Sequence, residues 1–324
     1  LALPLAVLNA RYEFPFKKTF AALVLIPLIL PPFVGAIGLH HLLGRSGAVN
    51  ALLLNLGVID EGIDFIGAGG FWAIVIIEAL HLYPILYLNA TAALANLDPA
   101  LDEAAENLGA GAWRRFRQIT LPLIRPGLFA GGTIVFIWSF TELGTPLMFD
   151  FQTVTPVQIF VGLKEMETSR VPYALTAVML VMAVLFYVVG KLLFGGRAYA
   201  MYSKASLQAR TIPLGAVRGW GAAGLFALVT FLAMLPHLGV VLTSLSSNGQ
   251  WYQSVLPTTL SGENYANALG HPLAVGSIRN SLFYASCAMA LDILLGVLIG
   301  YVVVRTKLIA VSYTHLTLPT SFLV

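Results

Sequence analysis

Residues Phe71–Ala95 read FWAIVIIEALHLYPILYLNATAALA, 25 residues with one formally charged side chain, Glu78. A helix rises about 1.5 Å per residue, so such a stretch is long enough to cross a hydrocarbon core of about 30 Å. Working outward, five further stretches share this character: Phe20–Leu43, Pro126–Leu147, Tyr173–Phe194, Gly219–Ser244 and Ser281–Val304. Residues 1–9 are apolar up to Arg11 and read as the tail of a seventh. The chain is 58% hydrophobic and 10% charged, whereas a soluble protein is about one quarter charged. Its mean hydropathy is +0.84. The expected fold is therefore an all-α integral membrane protein, a polytopic bundle of six full spans plus a partial N-terminal one.

Basic residues orient the bundle. Fourteen of the 18 lysines and arginines fall in Arg11–Lys18, in the loop Arg114–Arg125, in Lys191–Arg218, or at Arg305 and Lys307. The positive-inside rule makes these segments cytoplasmic and turns 44–70, 148–172 and 245–280 outward. The alternation agrees with the span count. A net charge of +3 reflects this topology and gives no sign of nucleic-acid binding.

The cytoplasmic loop after Ala95 contains EAAENLGAGAWRRFRQITLP, residues 103–122. Asp98 is a helix N-cap with Pro99 in the first turn, and Gly109 suits the left-handed residue that closes a helix. The expected helix runs from Pro99 to Leu108. Leu97, Leu101, Ala104 and Leu108 form one apolar stripe, with Asp102, Glu103 and Glu106 off it. A second helical piece, Ala112–Thr120, puts Trp113 and Phe116 on one side and Arg114, Arg115 and Arg117 on the other, until Pro122 ends it. An amphipathic loop lying on the membrane surface is the plain alternative; surface adhesion, however, has no need of fixed Glu-Ala-Ala and Gly positions.

Glu103, Ala104, Ala105, Gly109, Ile119, Leu121 and Pro122 make E-A-A-x3-G-x9-I-x-L-P, which resembles the EAA loop of the membrane-spanning subunits of ABC importers. The resemblance implies a bacterial inner-membrane permease of that type. Its partners would be a dimer of ATPase subunits, which bind the ATP, and a periplasmic solute-binding protein; the chain itself would bind no cofactor. By the same resemblance, residues 1–196 form a first permease half with its EAA loop at 97–122. Residues 197–218 are a basic linker, 219–310 begin a second half, and 311–324 (VSYTHLTLPTSFLV) are a non-native tail. The chain starts inside an apolar segment and reads as a fragment whose gene continues to a second EAA loop. Fused halves resemble the ferric-iron branch of the family, with thiamine and phosphonate importers close by.

Ionisable side chains at membrane depth are costly and mark functional sites by default. Glu78 and His81, three residues apart on one helix face, and Glu142 and Asp292 in other spans, are the candidates for the solute path. Interhelical hydrogen bonds, packing or interfacial placement are the plainer readings of each. A carrier driven by an ion gradient is the competing function, since these groups could pass protons; it has no reason to possess an EAA loop. A membrane scaffold with no transport role is a third. His40 and His41 are adjacent and point about 100° apart on a helix, which does not make a chelating pair. Prolines 27, 31 and 32 interrupt the first full span. Gly127/Gly131 and Gly296/Gly300 match the close-packing pattern of membrane helices. The lone Cys287 excludes an internal disulfide. Gly190-Lys191 is followed by leucine, so there is no phosphate-binding loop and no enzymatic site is expected.

Overall fold

The computed structural model describes residues 1–67, 70–163, 169–194, 211–247, 251–252 and 254–305. The expected tail 311–324, and residues 197–210 of the expected linker, lie outside these. In chain order come helix α1 (Ala2–Arg11), strand β1 (Tyr12–Glu13), α2 (Lys17–Leu23), a 3-10 turn at Ile26–Leu28, α3 (Pro32–Leu43) and α4 (Ala48–Asn55). They are followed by α5 (Phe71–Ala95), α6 (Pro99–Asn107), α7 (Ala112–Arg115), a π-helical turn at Phe116–Thr120 and α8 (Leu121–Thr141). The remainder is α9 (Gly144–Met148), α10 (Thr155–Gly162), α11 (Val171–Phe194), strand β2 (Ile212–Pro213), α12 (Ala216–Leu245), α13 (Glu263–Gly270) and α14 (Pro272–Arg305).

Among the described residues the fold is all-α apart from one parallel bridge that pairs Tyr12 with Ile212 and Glu13 with Pro213. Beside it the Lys17 ammonium, 3.0 Å from Glu13, and the Thr211 side chain hold the Glu13 carboxyl below its ordinary range. Among the described residues five helical runs are long and apolar enough to cross a membrane: α5, Ala112–Met148, α11, α12 and Pro272–Val302. A bent pair, Lys17–Leu28 with Pro32–Asn55, makes a sixth.

That pair bears out the expected interruption of the span Phe20–Leu43 by its prolines and corrects only its extent. The two pieces meet at 94°, because Pro31 and Pro32 supply no N–H to the preceding turn. Pro31 is extended, at φ −59° and ψ 142°. The Pro27 carbonyl, which would ordinarily accept from residue 31, instead meets the ring of His81. A second correction concerns Pro122, which does not end its helix. The five residues Phe116–Thr120 take the wider π register, and the chain runs on through Leu121 and Pro122 as the first turn of α8. A third is the start of the last helix, at Pro272 rather than Ser281.

The described chain divides into two compact units, Leu1–Thr259 and one that begins at Leu260. The core of the first is built by α1, α5 and α12. Leu5, Ala6, Tyr87, Ala90, Phe226 and Val229 are all buried there, with Phe14 stacked on Phe226 at 5.1 Å. Small residues set the helix spacing. A Cβ on Gly127 would lie 2.6 Å from that of Ala93, and one on Gly131 2.9 Å from that of Asn89, so the first glycine pair is where α8 closes on α5. In the second unit α13 packs against α14.

Candidate functional site

The helix read from Asp98 and Pro99 forms as α6. The Asp98 carboxylate accepts from the Ala100 amide at 2.9 Å. At the other end Gly109 has φ +80°, its amide donates to the Glu106 carbonyl at 2.8 Å, and the Ala110 amide donates to Ala105 at 3.0 Å. This paired closure needs a residue that tolerates the left-handed region, hence glycine. No residue of α6 is buried. Leu101 is 46% and Leu108 88% exposed, so most of the apolar stripe faces away from the bundle. Glu103 and Ala104 share that exposure, and Ala105 is half-buried.

Ile119, Leu121 and Pro122, the later members of the pattern, are half-buried in the π turn and the start of α8. Their place is the joint between loop and span rather than the exposed surface. Between the two arms lies a charge network that the sequence did not reveal. Arg11, at the end of α1, sits 3.5 Å from Asp102, and Arg115 sits 3.6 Å from Asp102 and 2.7 Å from Glu106. Arg11 also donates to the Thr120 hydroxyl at 2.6 Å. Arg11 and Asp102 are 91 residues apart, so no local spacing signals the pair.

A second locus lies at the broken span. A cleft of about 560 Å³ is lined by Leu28, Pro31, Phe33, His81, Trp138 and Glu142, among others. Glu142 follows the last residue of α8, and its Oε1 accepts from the amides of Gly144 at 3.0 Å and Thr145 at 3.2 Å, capping α9. Thr145 in turn donates its hydroxyl to Glu78 Oε1 at 3.1 Å. Glu78 is 5% exposed, and its Oε2 has no partner among the described residues. His81 is 4% exposed, lies edge-on to Trp138 at 6.4 Å, and has an unpartnered Nδ1.

His81 and Glu142 line this cleft, while the buried Glu78 is joined to Glu142 through Thr145, which sequence reasoning missed. Asp292 is exposed on α14 of the second unit. His40 stacks near Phe149 and His41 on Trp251, each with its own aromatic neighbour. Among the described residues no three His, Cys, Asp or Glu side chains converge as a metal site.

The family described as "Binding-protein-dependent transport system inner membrane component" matches residues 2–199. The chain is 28% identical over 288 residues to the putative ferric transport system permease protein FbpB 1 of Haemophilus influenzae, covering 87% of this chain and 44% of that protein. It is 34% identical over 178 residues to the molybdenum transport system permease protein ModB of the same organism, covering 54% of this chain and 70% of ModB. The chain thus spans less than half the length of the ferric-type relative. A solved bacterial ABC transporter involved in the import of the acidic polysaccharide alginate superposes with a TM-score of 0.47 at 19% identity, over 60% of this chain and 71% of that one.

Proposed function

The chain belongs to the binding-protein-dependent transport system inner membrane components, a family of multi-pass membrane proteins, and from that membership we propose that it is the permease part of an ATP-driven importer. In this reading α6 docks into an ATPase subunit, a solute-binding protein delivers cargo to the outward loops, and the hydrolysis belongs to the ATPase. The observation that carries it is α6 itself: a helix capped at both ends, carrying Glu103-Ala104-Ala105, with no buried residue and its leucines exposed. An exposed apolar stripe on a rigid helix is a docking element. Ala104 and Ala105 let a partner approach closely, and Gly109 fixes the turn beyond them. ATP binding would favour one arrangement of the spans, and the loaded binding protein must interact differently with the two arrangements to bias them.

The solute we favour is ferric iron. The relative that carries this name matches 87% of the chain, and the cleft presents Glu142 and His81 with no lysine or arginine among its described lining residues. Carboxylate and imidazole suit a cation in transit. Molybdate is the second reading, favoured by the 34% identity to ModB. An oxyanion would meet the Glu142 carboxylate there without an ammonium or guanidinium to offset it.

The test is uptake into proteoliposomes holding the full-length protein, its ATPase and its binding protein, with radioactive ferric iron and molybdate offered separately. ATP-dependent entry of iron alone is the expected result. Entry of molybdate alone would transfer the reading to the second solute, and entry of neither would remove both.

A further inference from the structure

No side chain of α6 is buried, and its ionic ties run through two carboxylates. Asp102 stands between two guanidiniums that belong to different parts of the bundle. Arg11 closes α1, whose Leu5 and Ala6 are buried in the main core. Arg115 ends α7, which continues through the π turn into α8. Arg11 reaches further, to Thr120 inside that π turn. The Arg115 side chain is 14% exposed, and those of Arg11 and Asp102 are 26% and 29%, so solvent screens these pairs less than it screens a free surface pair. Glu106 holds Arg115 from the other side.

A single carboxylate thus ties one short helix both to α1 and to the helical run that continues into α8. An exposed helix with flexible tethers would absorb a push, whereas one held by charges on both sides passes it on. We propose that Asp102 is the positioning residue that makes α6, α1 and the π turn before α8 move as one body, a proposal that rests on the importer reading above.

The experiment uses the full-length protein with Cys287→Ser, co-reconstituted with its ATPase and its binding protein, the latter loaded with ferric iron or with molybdate. Nitroxide labels at Asn9→Cys and Asn107→Cys report the distance from α1 to α6, with and without ATP. With Asp102 intact, and in Asp102→Glu, one narrow distance distribution that ATP leaves unchanged is expected, together with stimulation of ATP hydrolysis by the loaded binding protein. In Asp102→Asn the distribution should broaden and the stimulation fall about tenfold, within the usual range of coupling between sites, while the ATPase still co-purifies. Retention of both the narrow distribution and the stimulation in Asp102→Asn overturns the proposal. Should that variant fail to insert, Arg11→Gln at the far end of the pair gives the same two readouts, and unchanged values there overturn it equally. Failure of the importer reading looks different: the ATPase would not co-purify even with Asp102 in place.

Discussion

Gly38 of α3 lies against the carbonyl of Pro236 in α12, so closely that a Cβ on Gly38 would collide with the backbone of the neighbouring helix. Gly239 completes the contact, since its own Cβ would fall 2.7 Å from the Gly38 carbonyl oxygen. Two membrane helices thus touch backbone to backbone, with no side chain between them to give way. Gly38→Leu should force α3 and α12 apart, at a cost of about 1–3 kcal/mol or more. The measurement is thermal unfolding in detergent: a lowered midpoint is expected for Gly38→Leu, and none for Gly221→Leu, where a Cβ meets no atom within 4 Å.

The Thr145 hydroxyl is the one described hydrogen-bond donor to the Glu78 side chain. Thr145→Val leaves that carboxyl without a partner in a buried position and should cost about 1–3 kcal/mol. Glu78→Gln keeps an acceptor for Thr145 and should fold in normal amount. If the pair lines the solute path, Glu78→Gln slows uptake at unchanged protein level. A purely structural pair would instead show reduced thermal stability with normal uptake per folded molecule.

Orientation is open to direct labelling. In Cys287→Ser, a cysteine at Ala110 should react in intact cells with a membrane-permeant thiol reagent and be shielded from an impermeant one. A cysteine at Gly262 should react with both. The opposite pattern would place the α6 loop on the wrong side for an ATPase.

Both ends of α6 were legible in the sequence, because Asp98-Pro99 and Gly109 act through local backbone chemistry that needs no knowledge of the rest of the chain. The apolar spans were legible for the same reason: length and composition alone decide whether a helix can cross a bilayer. What failed was local inference at Pro122. That residue was read as a stop, yet a π turn precedes it and the helix runs on, whereas the interruption at Pro31 and Pro32 was legible from the prolines themselves. The contacts of Asp102 with Arg11, of Glu78 with Thr145, and of Gly38 with Pro236 join residues far apart in the chain, and no spacing rule contains them. Glu78, His81 and Glu142 could be picked out singly as costly groups at membrane depth. That His81 and Glu142 line one cleft beside Pro31, and that Thr145 joins Glu142 to Glu78, only the packed structure displays.

The central claim is that α6 takes its drive from ATP hydrolysed by a partner. The most direct measurement is solute uptake by inverted-topology-controlled proteoliposomes of the full-length protein with its ATPase and binding protein, comparing the unaltered chain with Ala105→Glu and Gly109→Val. Ala105→Glu brings a charge into an apolar contact, and Gly109→Val places a β-branched residue at φ +80°. The account predicts uptake that requires ATP, persists when ionophores collapse the ion gradients, and is lost in both variants although they insert normally. Uptake that continues without ATP, stops with the ionophores and is unchanged in both variants would contradict it and make the chain a gradient-driven carrier.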